Sequence, residues 1–134
     1  MVWDPYMDTQ IHALEMAQRR AARFVTRRYR NTSSVTEMLT DLNWPTLESR
    51  RKRARLCFLR KILHRTVSVK ILPTPAPERQ RRSHDQQLEV LFSKKEYRKN
   101  AYFPRTTREW NSLSQQTISA PSHRVFAEML SGSA

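Results

Sequence analysis

Arg19, Arg20, Arg23, Arg27 and Arg30 recur at steps of one, three and four residues. At about 100° per residue, a helix would gather them into one arc of about 100°. That arc lies away from most of an apolar stripe at Met7, Ile11, Leu14, Ala17, Ala21, Phe24 and Val25. Guanidinium groups in a row suit phosphate oxygens, so the spacing predicts a phosphate rail. The competing reading is a solvated polar face, but such faces usually mix signs and this one is nearly all positive. A second block, Arg50, Arg51, Lys52 and Arg53, reads as a nucleic-acid patch or a nuclear import signal, or again as a solvated face. Lys94, Lys95, Tyr97, Arg98, Lys99, Tyr102, Phe103 and Arg105 mix bases with rings that could stack on unpaired bases. Against that, Tyr102, Phe103 and Trp110 could form a small core, which is the favoured reading of these rings.

The enzymatic readings find no support. A Gly-rich phosphate loop cannot be built from one glycine, Gly132. His12, His64, His84 and His123 are scattered, and none stands at metal-ligand spacing from Cys57. No acidic pair suggests metal-assisted or acid–base chemistry. Cys57 falls in an apolar run, where a buried, inert thiol is expected. The expectation is no catalytic site, no metal and no cofactor.

The balance of charge points to a partner. The 134 residues hold 25 Lys and Arg against 12 Asp and Glu, a net +13. Self-repulsion on that scale favours a polyanion as ligand, with nucleic acid first and an anionic membrane surface second. No apolar run approaches the ~18 residues that span a bilayer. A single cysteine gives no disulfide framework, which fits nucleus or cytoplasm. Asp4, Asp8 and Glu15 argue against a cleaved presequence.

Helices must position these residues. Scarce glycine disfavours strand-rich folds with tight turns. A first helix is predicted over residues 7–28. Ser34 with Glu37 forms an S-x-x-E capping box for a short helix to about residue 42. Pro45 stops that segment, and Thr46 caps a third helix over residues 47–65, with Glu48 favouring its dipole. The third helix has a basic half, ending at Arg55, and an apolar half (Leu56, Cys57, Phe58, Leu59, Ile62, Leu63) that must be buried on most sides. Residues 66–72 read as a short strand or a frayed helix end. Pro73, Pro75 and Pro77 open a mobile linker, a short helix is expected over 106–113, and a last one opens at Ser122 with Val125, Phe126, Met129 and Leu130 inward.

Several of these residues also resemble a known family. Val2-Trp3-Asp4-Pro5-Tyr6, the run from Leu14 to Val25, and Trp44-Pro45-Thr46-Leu47 with the following arginines resemble the C-terminal region of LINE-type (non-LTR) retrotransposon reverse transcriptases of the Jockey and chicken-repeat kind. Tyr102-Phe103-Pro104-Arg105-Thr106 with Trp110-Asn111-Ser112-Leu113 resembles a signature near the ends of those polyproteins. The resemblance spans nearly the whole chain in the family's order. It implies a segment after the polymerase palm, whose first helices take a thumb-like position on the template–primer backbone. The polymerase aspartates, the endonuclease residues and the Cys/His knuckle have no counterpart here. Ser114 stands where a proline often follows, and Thr107 where an aliphatic residue is common. A Met-initiated chain of this length is expected to be a truncated copy.

These readings converge on an all-α fold, a small helical bundle with two long basic helices, a Pro-rich linker and a weakly packed helical tail. The expected domains are a basic thumb-like domain over 1–72, a linker over 73–87 and the tail over 88–134. The expected function is non-catalytic, sequence-independent binding of the RNA or DNA backbone, and a reverse transcriptase palm domain is a further possible partner; no membrane is expected. The first residues to carry it are Arg19, Arg20, Arg23, Arg27, Arg50, Arg51, Lys52 and Arg53. A non-functional remnant would leave Leu59 and Leu63 exposed. A protein-interaction adaptor would use the apolar half of the third helix as a groove ligand.

Overall fold

Short hydroxyl side chains placed just before apolar periodicity set where the helices begin. The computed structural model describes residues 4–78 and 83–132, and among them there are seven helices and no strand. They are α1 (Asp8–Thr26), α2 (Val35–Asp41), α3 (Leu47–Leu63), α4 (Glu96–Lys99), α5 (Tyr102–Asn111), α6 (Gln115–Ile118) and α7 (His123–Gly132). The all-α class is as expected. Val2 and Trp3 of the resembling N-terminal motif, and the linker residues Arg79, Arg81 and Arg82, lie outside the described residues.

The two anticipated caps are present, and Ser122, the expected opening of the last helix, is a third. Ser34 Oγ accepts from the Glu37 N–H at 3.3 Å, Thr46 Oγ1 from the Ser49 N–H at 3.2 Å, and Ser122 Oγ from the Val125 N–H at 3.2 Å. The helix ends are less conventional. Left-handed backbone falls on Arg27, Asn43 and Arg65, with φ of 54°, 52° and 55°. After Asn43 the Trp44 N–H reaches back to Leu39 O, and after Arg65 the Thr66 N–H reaches Lys61 O, the pattern that closes a helix with a left-handed residue.

The chain divides into two compact units, Met1–Arg51 and Lys52–Ala134, with the division inside α3. The sequence reading places the joint at residues 73–87. In the first unit, α1 and α2 pack about Ala22 and Met38, both fully buried. The Glu15 carboxylate accepts from the N–H groups of Leu47 (3.3 Å) and Glu48 (2.8 Å), so α1 caps α3. Gln18 donates to Pro45 O at 2.9 Å. The apolar stripe on α1 is only partly used. Ile11 and Leu14 are half-buried, whereas Met7, Phe24 and Val25 are exposed, because the short α2 and the 44–47 turn cover a single side of the helix.

The second unit has its core at Leu56, Leu59, Leu88, Trp110, Ile118, Ala120 and Phe126. Residues 88–126 therefore supply most of that core, and the tail is better packed than the sequence suggests. Residues 66–72 form neither helix nor strand. The proline segment is held by an isolated antiparallel bridge, Pro75–Leu88, with the Ala76 N–H donating to Gln87 O and the Glu89 N–H to Thr74 O. Residues 83–87, expected to be mobile, are tied with Leu88 to α5. The His84 ring lies 3.0 Å from Trp110 O, Trp110 Nε1 donates to Gln86 O at 2.8 Å, and the Asn111 amide bonds both the N–H and the C=O of Leu88. Helix α5 starts four residues earlier than expected, since Pro104 lies in its first turn, where a missing N–H costs nothing.

Candidate nucleic-acid interface

The period of α1 puts Arg19, Arg20 and Arg23 on its surface, and Arg27 occupies the left-handed C-cap. Arg19, Arg20, Arg27 and Arg30 are exposed and Arg23 is half-buried. None of the five side chains has a hydrogen bond or ion pair to the described residues. Arg28, at the same end, is held by Asp41 at 3.1 Å, with both side chains more than half exposed. The first unit thus presents guanidinium groups that no carboxylate among the described residues neutralises, all within seven residues of the helix end.

The second predicted cluster does not stay together. Arg50 is exposed and unpaired, but Arg51 turns inward, 3.6 Å from Asp4 and 4.0 Å from Glu15, with its side chain 15% exposed. In the other unit Lys52 is exposed and Arg53 donates to Ser131 Oγ. Arg55, counted with the basic half in the sequence, is 1% exposed and bound to Glu109. Arg60 is buried too, donating to the carbonyls of Ala120 and Ser122 beneath the Phe126 ring. Periodicity could not separate these arginines, because their partners lie on α5 and before α7, 54 to 62 residues away.

The bases-and-rings segment splits in two. Trp110 is in the core and Phe103 packs against it, as favoured, while half-buried Tyr102 donates to Arg55 O at 3.0 Å and packs edge-on against Phe58 and Phe103. Burial pushes the Tyr102 phenol well above its ordinary value, with Arg55 opposing and Glu109 adding. Only Tyr97 is left exposed, with Lys95 and Arg98 each 5.9 Å from its ring centre. The residues of the Trp-Asn motif act structurally, as anchors for residues 84–88.

Cys57 is half-buried, and burial raises its thiol against the pull of Arg53, Lys61 and Arg60. No group of three His, Cys, Asp or Glu side chains among the described residues could hold a metal ion. No helix among them is long and apolar enough to cross a membrane. The sequence reading left the histidines unconnected, yet His64 and His123 share one cavity with Arg60, Lys61 and Thr66. No family model, curated protein or solved structure matches the chain.

Proposed function

We propose that the chain binds RNA or DNA through backbone phosphates, without reading base sequence, as a thumb-like segment of the kind its motifs resemble. One observation carries this. Arg19, Arg20, Arg23, Arg27 and Arg30 fall along the last half of α1, its cap and the turn after it, with no carboxylate partner among the described residues, on a chain of net +13. An unneutralised row of this kind gains by releasing counterions from a polyanion, which gives affinity that is steeply salt-dependent. Arg50 in the first unit and Lys52 in the second are the members of the second cluster that stay exposed. Arg51 and Arg53 have protein partners. Non-specific binding of this type is micromolar or weaker at physiological salt, and the chain carries no base-reading motif.

The test is a salt titration on a short RNA–DNA hybrid, comparing wild type with Arg19, Arg20, Arg23 and Arg27 all changed to Ala. The expected log–log slope is shallower in the variant by about 3 to 4, near 0.9 per lost contact. Equal slopes would remove the rail from α1.

A second reading, a helical protein-interaction surface, has one observation in its favour. Phe24 is 73% exposed and Val25 53% exposed, side by side near the end of α1. The apolar half of α3 does not serve this reading, since Leu59 is fully buried and Leu63 packs against the core. Binding that survived high salt would favour this surface over the rail.

A further inference from the structure

In the second unit, the last turn of α3 and the first residue of α7 border a cavity of about 310 Å³ lined by Arg60, Lys61, His64, Thr66 and His123. Four of the five lining side chains are cationic or can become so, the fifth is a hydroxyl, and no carboxylate is among them. Arg60 gives the wall a permanent charge. It is 5% exposed, and its hydrogen bonds run to the carbonyls of Ala120 and Ser122 rather than to an acid. A buried guanidinium satisfied only by carbonyls keeps its full charge in a poorly screened place. The side chains of Lys61, His64 and His123 have no hydrogen bond or ion pair to the described residues. His123 is also the first residue of a ten-residue helix, whose free N–H groups add positive potential.

We propose that this cavity is a binding site for a phosphate group, separate from the arginine face of α1. The volume lies at the lower end for small-ligand pockets, so it admits one phosphate with a modest substituent. Lys61 supplies an exposed ammonium, Arg60 a fixed background charge, Thr66 a hydroxyl donor, His64 a ring nitrogen, and the His123 imidazole the part of the charge that depends on pH. The electrostatics of His123 agree with this layout. Its ring is held below the ordinary histidine value by burial, then by Lys61, Arg60 and His64 in that order. Those are the charged groups that α3 and its end turn towards it. An anion seated among them reverses the effect and raises the His123 value. By linkage, the anion then binds more tightly below that value, and affinity falls as pH rises through it.

Sulfate is the first probe, because it keeps its charge across this range whereas phosphate titrates. The imidazole carbon-bound protons of all four histidines are followed by NMR from pH 5.5 to 8, with and without sulfate. His123 is expected to titrate about one pH unit higher when sulfate is bound, the low end for an adjacent opposite charge. That corresponds to roughly tenfold tighter binding to the protonated site. His12, in the other unit, reports general ionic-strength effects. Lys61→Gln and His64→Gln, both at exposed positions, should each reduce the His123 response without disturbing the buried His84 resonance. The Arg19, Arg20, Arg23 and Arg27 alanine variant should leave it intact, so failure of the rail and failure of this site are distinguishable. Inorganic phosphate, a 5′-phosphorylated dinucleotide and its 5′-hydroxyl counterpart then identify the source of the phosphate. A response to the phosphorylated form alone marks a terminal phosphate, and a response to both marks the diester backbone. A response to inorganic phosphate alone marks a small free ligand. Equal movement of His123 and His12, or no movement of His123, overturns the proposal.

Discussion

Arg55 and Glu109 are joined at two points inside the second unit, Nε to Oε2 at 3.1 Å and Nη2 to Oε1 at 2.6 Å. The guanidinium is 1% exposed and the carboxylate 19%, so the arginine depends on the acid more than the reverse. Tyr102 reaches the same turn of α3 through the Arg55 carbonyl, and Arg105 stands 3.9 Å from Glu109. One charge of the basic half of α3 is thereby a structural pin between α3 and α5.

Removing the acid should be costly. Glu109→Gln keeps the shape but leaves Arg55 buried without its counter-charge. Breaking a buried pair in this way costs about 3 to 5 kcal/mol, and the part of Glu109 that water reaches puts this case at the lower end. Urea unfolding followed by the Trp110 signal should show a loss of about 3 kcal/mol. A change below about 1 kcal/mol would mean that Arg55 finds other acceptors.

The Tyr102 phenol gives a pH prediction. Burial raises the pH at which the phenol ionises in the folded chain, so folding favours the neutral form. Such a group contributes stability that is fully present below its unfolded value near 10 and is lost as pH rises towards the folded value. Tyr102→Phe should cost about 1 kcal/mol at pH 8 through the hydrogen bond to Arg55 O. It should also lose less stability than wild type between pH 9.5 and 11. Parallel alkaline curves for the two proteins would show that Tyr102 does not report this burial.

Local signals in the sequence carried most of the helix plan. Ser34, Thr46 and Ser122 mark helix starts through atoms three residues away, which a linear reading can see. Trp110 could be recognised as core by its size, but not as an anchor, because Gln86 and His84 meet it 24 and 26 residues up the chain. The same reason hid the packing of residues 83–88 and the turning inward of Arg51, whose acids are Asp4 and Glu15. On α1 the error was of another kind. The stripe has helical period, but too little protein lies opposite it, so Phe24 and Val25 stay in water while Gln18 is buried. Arg19, Arg20, Arg27 and Arg30 stay exposed and Arg23 half-buried, as a row on a helix surface needs no contact from the rest of the fold.

Glu15 illustrates a contact of that hidden class with a measurable cost. Its two oxygens accept from the first free N–H groups of α3, in addition to the Thr46 cap. Glu15→Ala should destabilise the start of α3 by about 1 kcal/mol, the usual value of a lost cap. Amide exchange at Leu47 and Glu48 should quicken roughly fivefold, while amides near Phe126 keep their rates. Unchanged exchange at Leu47 and Glu48 would show that Thr46 suffices alone.

Arg27 permits a separation of folding from binding. It holds a left-handed backbone, φ 54° and ψ 25°, at the end of α1, with its N–H on Phe24 O at 3.4 Å. A side chain in that region costs about 1 to 2 kcal/mol, and glycine relieves it at some entropic expense in the unfolded chain. Arg27→Gly should therefore stabilise the first unit by about 0.5 to 1 kcal/mol, whereas Arg27→Ala should not. Both variants remove the guanidinium, so both should make the salt slope of hybrid binding shallower by about 0.9. A more stable protein that binds less well cannot be explained by damage to the fold. If Arg27→Gly is stabilised and its slope stays at the wild-type value, Arg27 does not touch phosphate, and the rail ends at Arg23.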